Sequence, residues 1–314
     1  MKAKRWLLMA AVLLLLVLLG YLQFRTLSSF RWSVLKHVFG SILWSRIGWA
    51  VAFIYGAYVT RAFRWSIFLR PTKPATPVAL LPSQFIGFTA VAILGRLGEF
   101  VRPYLVARRQ QISFTSQLGV YTVERVFDLL AAAAIIAVTL SVSSSVSLLP
   151  HSEDFRRAGY LGILAAICMG AIVVAARVSG DRVAAIFGRA FGWFSKTAGR
   201  FVEEKILAFS HGLDTISGVR DLLLALFYSF ATWGLIALAY VEVVHAFRVP
   251  SLASVAPAQT ILLMAASLFG SVLQLPVVGG GSQLAIIHVL IDILGVNQEA
   301  ATACSIVLFV VTFL

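Results

Sequence analysis

Ile93-Leu94-Gly95-Arg96-Leu97-Gly98-Glu99-Phe100-Val101-Arg102-Pro103, followed further on by Glu124-Arg125-Val126-Phe127-Asp128, is the stretch on which the reading of this chain turns. It sets six ionisable side chains, Arg96, Glu99, Arg102, Glu124, Arg125 and Asp128, inside two of the most apolar regions of the sequence. In a bilayer core a charged side chain costs at least about 2.5–3.5 kcal/mol, so such residues pair, face water or hold a charged ligand. Three arginines face three carboxylates here. A cluster balanced in this way can stand alone, and it can also open around a phosphate.

The surroundings settle that the solvent is lipid. Of the 314 residues 60% are hydrophobic and 12% are charged, about half the charged fraction of a soluble domain. The formal net charge of +13 is spread in short blocks between apolar runs, where it sets topology and meets anionic headgroups; no nucleic-acid-binding motif accompanies it. Cys168 and Cys304 each lie inside an apolar run, and the five histidines show no ligand spacing, so neither a disulfide nor a metal site is expected. Walker A, nucleophile-elbow and kinase signatures are absent from the sequence, which argues against ATP-driven chemistry and predicts no cofactor.

Apolar runs near residues 6–24, 42–60, 115–143, 158–176, 221–246 and 300–314 predict about six spanning helices. Residues 6–24 follow Lys2, Lys4 and Arg5 without a small-x-small cleavage site, and are read as a retained first helix with a cytoplasmic N-terminus. Two further stretches, 83–107 and 259–294, are broken by glycines and prolines. If 83–107 crossed fully, the basic stretch 177–205 would lie outside. If it dips in and returns, Arg108, Arg109 and that stretch stay inside, as positive charge prefers. Arg31, Lys36 and Arg46 then lie outside, against the rule. The same count makes 259–294 a second hairpin entering from the opposite face, in the manner of transporter binding sites. The expectation is thus all-α: one polytopic membrane bundle over 1–314, with two inverted re-entrant hairpins. Residues 177–205 alternate apolar and basic positions at helical spacing and predict an amphipathic helix on the inner leaflet, or a plain basic connector.

In the first hairpin Gly95 and Gly98 allow a sharp turn beside Arg96. Glu99 opens the returning limb, Arg102 follows on the same face, and Pro103 suits its first turn. Arg96 and Arg102 are expected to converge on one site suited to phosphate. Glu124 and Asp128 stand one helical turn apart, with Arg125 three residues before Asp128. The same residues also fit an ion-pair network that only holds helices together. In the second hairpin Gly279, Gly280 and Gly281 break the helix, and Ser282, next to Gln283, is expected to cap the returning limb and offer its hydroxyl to an anion; a tight packing turn is the alternative. Glu242 and Asp292 are weaker candidates, buried and without a sequence neighbour as partner.

Taken with Arg64-Trp65 and the later Gly295-Val296 and Glu299-Ala300, these motifs resemble the lysylphosphatidylglycerol synthase transmembrane family, the flippase-like membrane region also found in multiple peptide resistance factors. The likeness covers about residue 40 to the end. It implies movement of a phospholipid, classically an aminoacylated phosphatidylglycerol, from inner to outer leaflet. By position it assigns Arg96, Glu99, Arg102, Glu124, Arg125 and Asp128 to the first half of a headgroup site, and Gly279, Gly280, Gly281 and Ser282 to the second. Many members carry a glutamate where this chain has Gln283, which counts against an acid-dependent step there and against a preference for cationic headgroups. No aminoacyl-transfer domain follows, so the chain is not expected to make lysyl-lipid.

The expected function is therefore a flippase or scramblase-like transporter in the inner (plasma) membrane, not an enzyme. Its partners are membrane phospholipids, anionic or aminoacylated, and no nucleic acid. A scaffold for a lipid-synthesis complex and a membrane-embedded transferase are the alternatives. Oligomeric state stays open, a homodimer being one option.

Overall fold

The computed structural model describes residues 37–193, 195–213, 216, 218–271 and 280–313. The apolar run 6–24 and Gly279 lie outside the described residues. Within them the chain is all helical, with no strand. The main helices are α1 (Trp44–Leu69), α2 (Pro77–Leu94), α3 (Val101–Gln110), α4 (Phe114–Val142), α5 (Ser152–Gly192), α6 (Lys196–Leu213), α7 (Val219–Ala246), α8 (Pro257–Gly270), α9 (Gly281–His288) and α10 (Gln298–Phe313), with single helical turns at Ser144–Ser147 and Pro250–Ala253. A 3-10 turn, Gly95–Phe100, joins α2 to α3, and a π-helical turn, Val289–Ile293, extends α9.

Among the described residues four stretches can cross a membrane by length and composition: Pro77–Gln110, Phe114–Val142, Ser152–Ala175 and Val219–Ala246. The protein is thus a multi-pass membrane protein. The first of the four is not straight. Gly95 adopts φ 61°, ψ −141°, a conformation that favours glycine. A Cβ on Gly98 would run into the backbone of Ala90 and Val91, and one on Gly87 would stand 2.6 Å from Arg102 Cβ. In one straight helix residues 87 and 102 would lie about 22 Å apart. The chain therefore doubles back, α3 running antiparallel along α2. Both glycines are places where no side chain fits between the limbs.

Cross-links fix which ends of the bundle coincide. At one end Arg70 pairs with Asp221, and Lys73 Nζ donates to Gln110 O at 2.7 Å. The base of the α2–α3 hairpin thus sits beside the end of α1 and the start of α7. At the other end Ile42 bridges Phe247, and Gln259 Nε2 donates to Ser145 O at 3.0 Å. The start of α8 therefore lies beside the far end of α4. With 29 residues, α4 is about 43 Å long, so the two broken stretches begin at opposite ends of the bundle. Around the second break a Cβ on Gly270 would stand 2.6 Å from Gly281 C and 2.8 Å from Ser282 Cα, which brings the end of α8 against the start of α9.

Residues 177–205, read above as one surface helix, divide between two elements. The first part continues α5 beyond a kink at Ser179, where φ is −149° and ψ 55°. The second begins α6, which packs back on α5: a Cβ on Gly199 would stand 2.7 Å from Gly192 Cα, and one on Gly188 would stand 2.9 Å from Glu203 Oε2. Apolar spacing shows which face is oily, but these small residues allow the limbs to close on each other.

Candidate functional site

The polar centre of the bundle is assembled from five helices. Glu124 and Asp128, one turn apart on α4, both point inward and are 1% and 2% exposed. Four guanidinium groups surround them. Arg102, from α3, donates to Glu124 Oε1 at 3.0 Å and pairs with Oε2 at 2.6 Å, a forked contact. Arg64, from α1, donates to Glu124 Oε1 at 2.6 Å, pairs with Asp128 Oδ1 at 2.8 Å, and gives a further hydrogen bond to Ser229 Oγ of α7 at 2.6 Å. Arg61, one turn earlier on α1, donates to Asp128 Oδ2 at 2.8 Å. Arg125 pairs with the same oxygen at 2.9 Å while its side chain remains 35% exposed. Gln84 of α2 accepts from Arg102 at 3.1 Å.

Charge is not balanced here. Four arginines face two carboxylates, a net of +2, and Arg61, Arg64 and Arg102 are all buried. Glu99 accepts from the Tyr121 hydroxyl at the rim and leaves a net of +1 if counted. Aromatic faces offset part of the surplus: the Arg102 guanidinium lies 4.7 Å from the Trp65 ring and 5.2 Å from Phe88, Arg61 lies 5.0 Å from Phe88, and Arg125 lies 5.1 Å from Tyr121. Each such contact contributes about 0.5–2 kcal/mol, less than the several kcal/mol that an unmatched buried charge costs.

The expected site residues are thus partly brought together. Arg102, Glu124, Arg125 and Asp128 meet, and Glu99 stands at the rim. Arg96 does not converge with Arg102; it is exposed and makes no ion pair among the described residues. Its place is taken by Arg61 and Arg64, neither of which the sequence reading placed among the site residues. The signal that would have found them is their spacing. Arg61 and Arg64 share a face of α1, and Trp65, whose Nε1 donates to Gln117 at 2.9 Å, locks the same surface.

The second set lies elsewhere. The helix is capped at Gly280, not at Ser282, since α9 starts two residues earlier than the side chains suggest. Gly281 closes against Gly270, while Ser282 and Gln283 are buried and line a small cavity of about 10 Å³, the room of one water, with Tyr240, Ser267, Ser305 and Thr312. Between this cavity and the arginines stands an aromatic pair. Tyr58 stacks on Phe88 at 4.6 Å, its hydroxyl donates to Thr312 O at 2.8 Å, and Phe88 also meets the Arg61 and Arg102 guanidinium groups at 5.0 and 5.2 Å. Glu242 and Asp292 are neither buried nor alone: Glu242 takes Arg46 at 3.1 Å, and Asp292 takes His288 at 2.5 Å. No metal-holding group of His, Cys, Asp or Glu occurs among the described residues.

The sequence model described as "Lysylphosphatidylglycerol synthase TM region" matches residues 8–314. No curated protein and no solved structure matches the chain.

Proposed function

Because the chain belongs to the lysylphosphatidylglycerol synthase transmembrane family, we propose that it moves a phosphate-bearing lipid headgroup between leaflets and makes or breaks no covalent bond. One observation carries the reading: four arginines of α1, α3 and α4, three of them buried, face two buried carboxylates, a net of +2, beside a hairpin that doubles back. A phosphate entering there replaces carboxylate partners of arginine with its own oxygens, so charges already desolvated are exchanged and not newly buried. The lipid's acyl chains stay in the bilayer.

In this reading the end of the bundle with Lys73, Gln110 and Asp221 faces the cytoplasm, the N-terminus lies on the same side, and the membrane is the inner (plasma) membrane. The α2–α3 hairpin is then re-entrant from the cytoplasm and the α8–α9 pair from outside. The shared base at Lys73 and Gln110 supports the first and the Gln259–Ser145 contact supports the second. Arg46, out of place by the positive-inside rule, is neutralised by Glu242. The headgroup passes from the arginines, past Tyr58 and Phe88, toward the hydroxyl side chains around Ser282. The test is leaflet exchange of tail-labelled phospholipid in liposomes containing the full chain. Exchange well above that of empty liposomes, and lost in Arg102→Gln, is expected; exchange equal to empty liposomes overturns the proposal.

A further inference from the structure

We infer, resting on the headgroup reading above, that the arginine site takes an anionic phosphate group with no ammonium beside it, so that the chain selects unmodified acidic phospholipids over zwitterionic and aminoacylated ones. The inference comes from an account of donors and acceptors in the site. Every carboxylate oxygen of Glu124 and Asp128 has a guanidinium nitrogen within 3.0 Å. An ammonium seeking one of these oxygens has to displace an arginine and adds a fifth cation among four. Glu99 is the one carboxylate beside the cluster outside any ion pair among the described residues, and Tyr121 already donates to it.

Glu124 Oε2 and Asp128 Oδ1 make these ion-pair contacts without a further hydrogen bond, and the atoms of the cluster with neither kind of contact are donors. Arg64 Nε and Gln84 Nε2 are fully buried and have no acceptor among the described residues, and Arg125 Nε is in the same position. Arginine can only donate, so the contact with Arg102 turns the Gln84 amide oxygen inward and leaves its NH2 group as the free donor. Buried donors without acceptors, in a cluster with surplus positive charge, call for an acceptor-only anion. A phosphodiester supplies two charged oxygens and lowers the surplus. A headgroup that carries its own ammonium supplies the same oxygens but restores the charge.

Lipid phosphate and free inorganic phosphate share this chemistry, so the experiment separates them. The full chain in neutral detergent is titrated with phosphatidylglycerol, phosphatidylethanolamine and lysylphosphatidylglycerol of identical acyl chains, and with inorganic phosphate, reading ligand-induced thermal stabilisation. Phosphatidylglycerol is expected to bind at least about tenfold more tightly than either amino lipid, a difference of one unfavourable charge contact, and inorganic phosphate is expected to compete with it. Equal or tighter binding of lysylphosphatidylglycerol overturns the inference, as does binding of inorganic phosphate without phosphatidylglycerol, or no binding at all.

Since the whole chain is basic, two variants of equal charge change are compared. Arg125→Gln, whose partner Asp128 keeps Arg61 and Arg64, is expected to weaken phosphatidylglycerol about tenfold. The exposed Arg109→Gln is expected to change it by less than about twofold. Equal losses place the lipid on the general basic surface and overturn the inference. Binding is read apart from leaflet exchange: selective binding without exchange removes the transport reading alone, and exchange without selectivity removes this inference alone.

Discussion

Arg64 is the residue in which fold and site meet. It is fully buried and touches Glu124, Asp128 and Ser229, so it ties α1 to α4 and α7. Arg64→Met, similar in length but uncharged, leaves Glu124 and Asp128 short of one partner and is expected to cost about 3–5 kcal/mol. Arg46→Met, which removes the partly exposed pair with Glu242, is expected to cost about 0–1 kcal/mol. Denaturant unfolding of the two variants in detergent checks the contrast; equal losses would mean that the central network does not hold the bundle. At this scale the carboxylates were legible, because Glu124 and Asp128 stand at helical spacing in an apolar run. Arg61 and Arg64 were not, because a basic residue near the end of an apolar helix reads equally well as a topology charge. Only their three-dimensional convergence on α4 tells the two roles apart.

Among the elements, the α2–α3 hairpin makes the most specific demand on sequence. Its limbs touch at Gly87 and Gly98, where an added Cβ meets Arg102 or the backbone of Ala90 and Val91. Gly98→Ala has no flexible side chain to push aside and is expected to cost about 1–3 kcal/mol by forcing the limbs apart. Gly87→Ala is expected to shift Arg102 from Glu124 and to weaken phosphatidylglycerol binding as well as stability. Gly48→Ala, in α1 with nothing within 4 Å, is expected to be neutral or to stabilise by up to about 1 kcal/mol. Thermal unfolding of the three variants is the measurement. The turn itself was readable, since Gly95 and Gly98 bracket Arg96 in an otherwise helical pattern. The α5–α6 fold-back was not, because its closure rests on Gly188, Gly192 and Gly199, whose spacing carries no turn signal. The cap of α9 was misread for a related reason: Ser282 has the better capping side chain, but the close pass of Gly281 against Gly270 puts the cap at Gly280.

At the scale of the whole molecule the open question is which surfaces face water on each side of the membrane, and the cross-links give it a sharp form. If the α2–α3 hairpin dips and returns, positions flanking it lie on one face; if Pro77–Gln110 crosses, they lie on opposite faces. Thr72 and Arg108 are exposed at the base of that hairpin, while Asp154 and Ser254 are exposed near the opposite end of the bundle. Single cysteines at these four positions, in a background with Cys168→Ser and Cys304→Ala, are expected to react with an impermeant maleimide in two groups. Thr72→Cys and Arg108→Cys label only after the inner face is opened; Asp154→Cys and Ser254→Cys label in intact cells. The pairing matters more than the absolute side. Labelling of Thr72→Cys and Arg108→Cys from opposite faces would make Pro77–Gln110 a crossing and put Arg108 and Arg109 outside, against the charge rule. Labelling in the expected groups would place the arginine cluster about 15 Å in from the cytoplasmic end of α4, counting ten residues from Phe114 to Glu124. That depth lies within the hydrocarbon but on its inner side, where a headgroup drawn from the inner leaflet arrives first and the hydroxyl side chains around Ser282, behind Tyr58 and Phe88, are its next polar contacts.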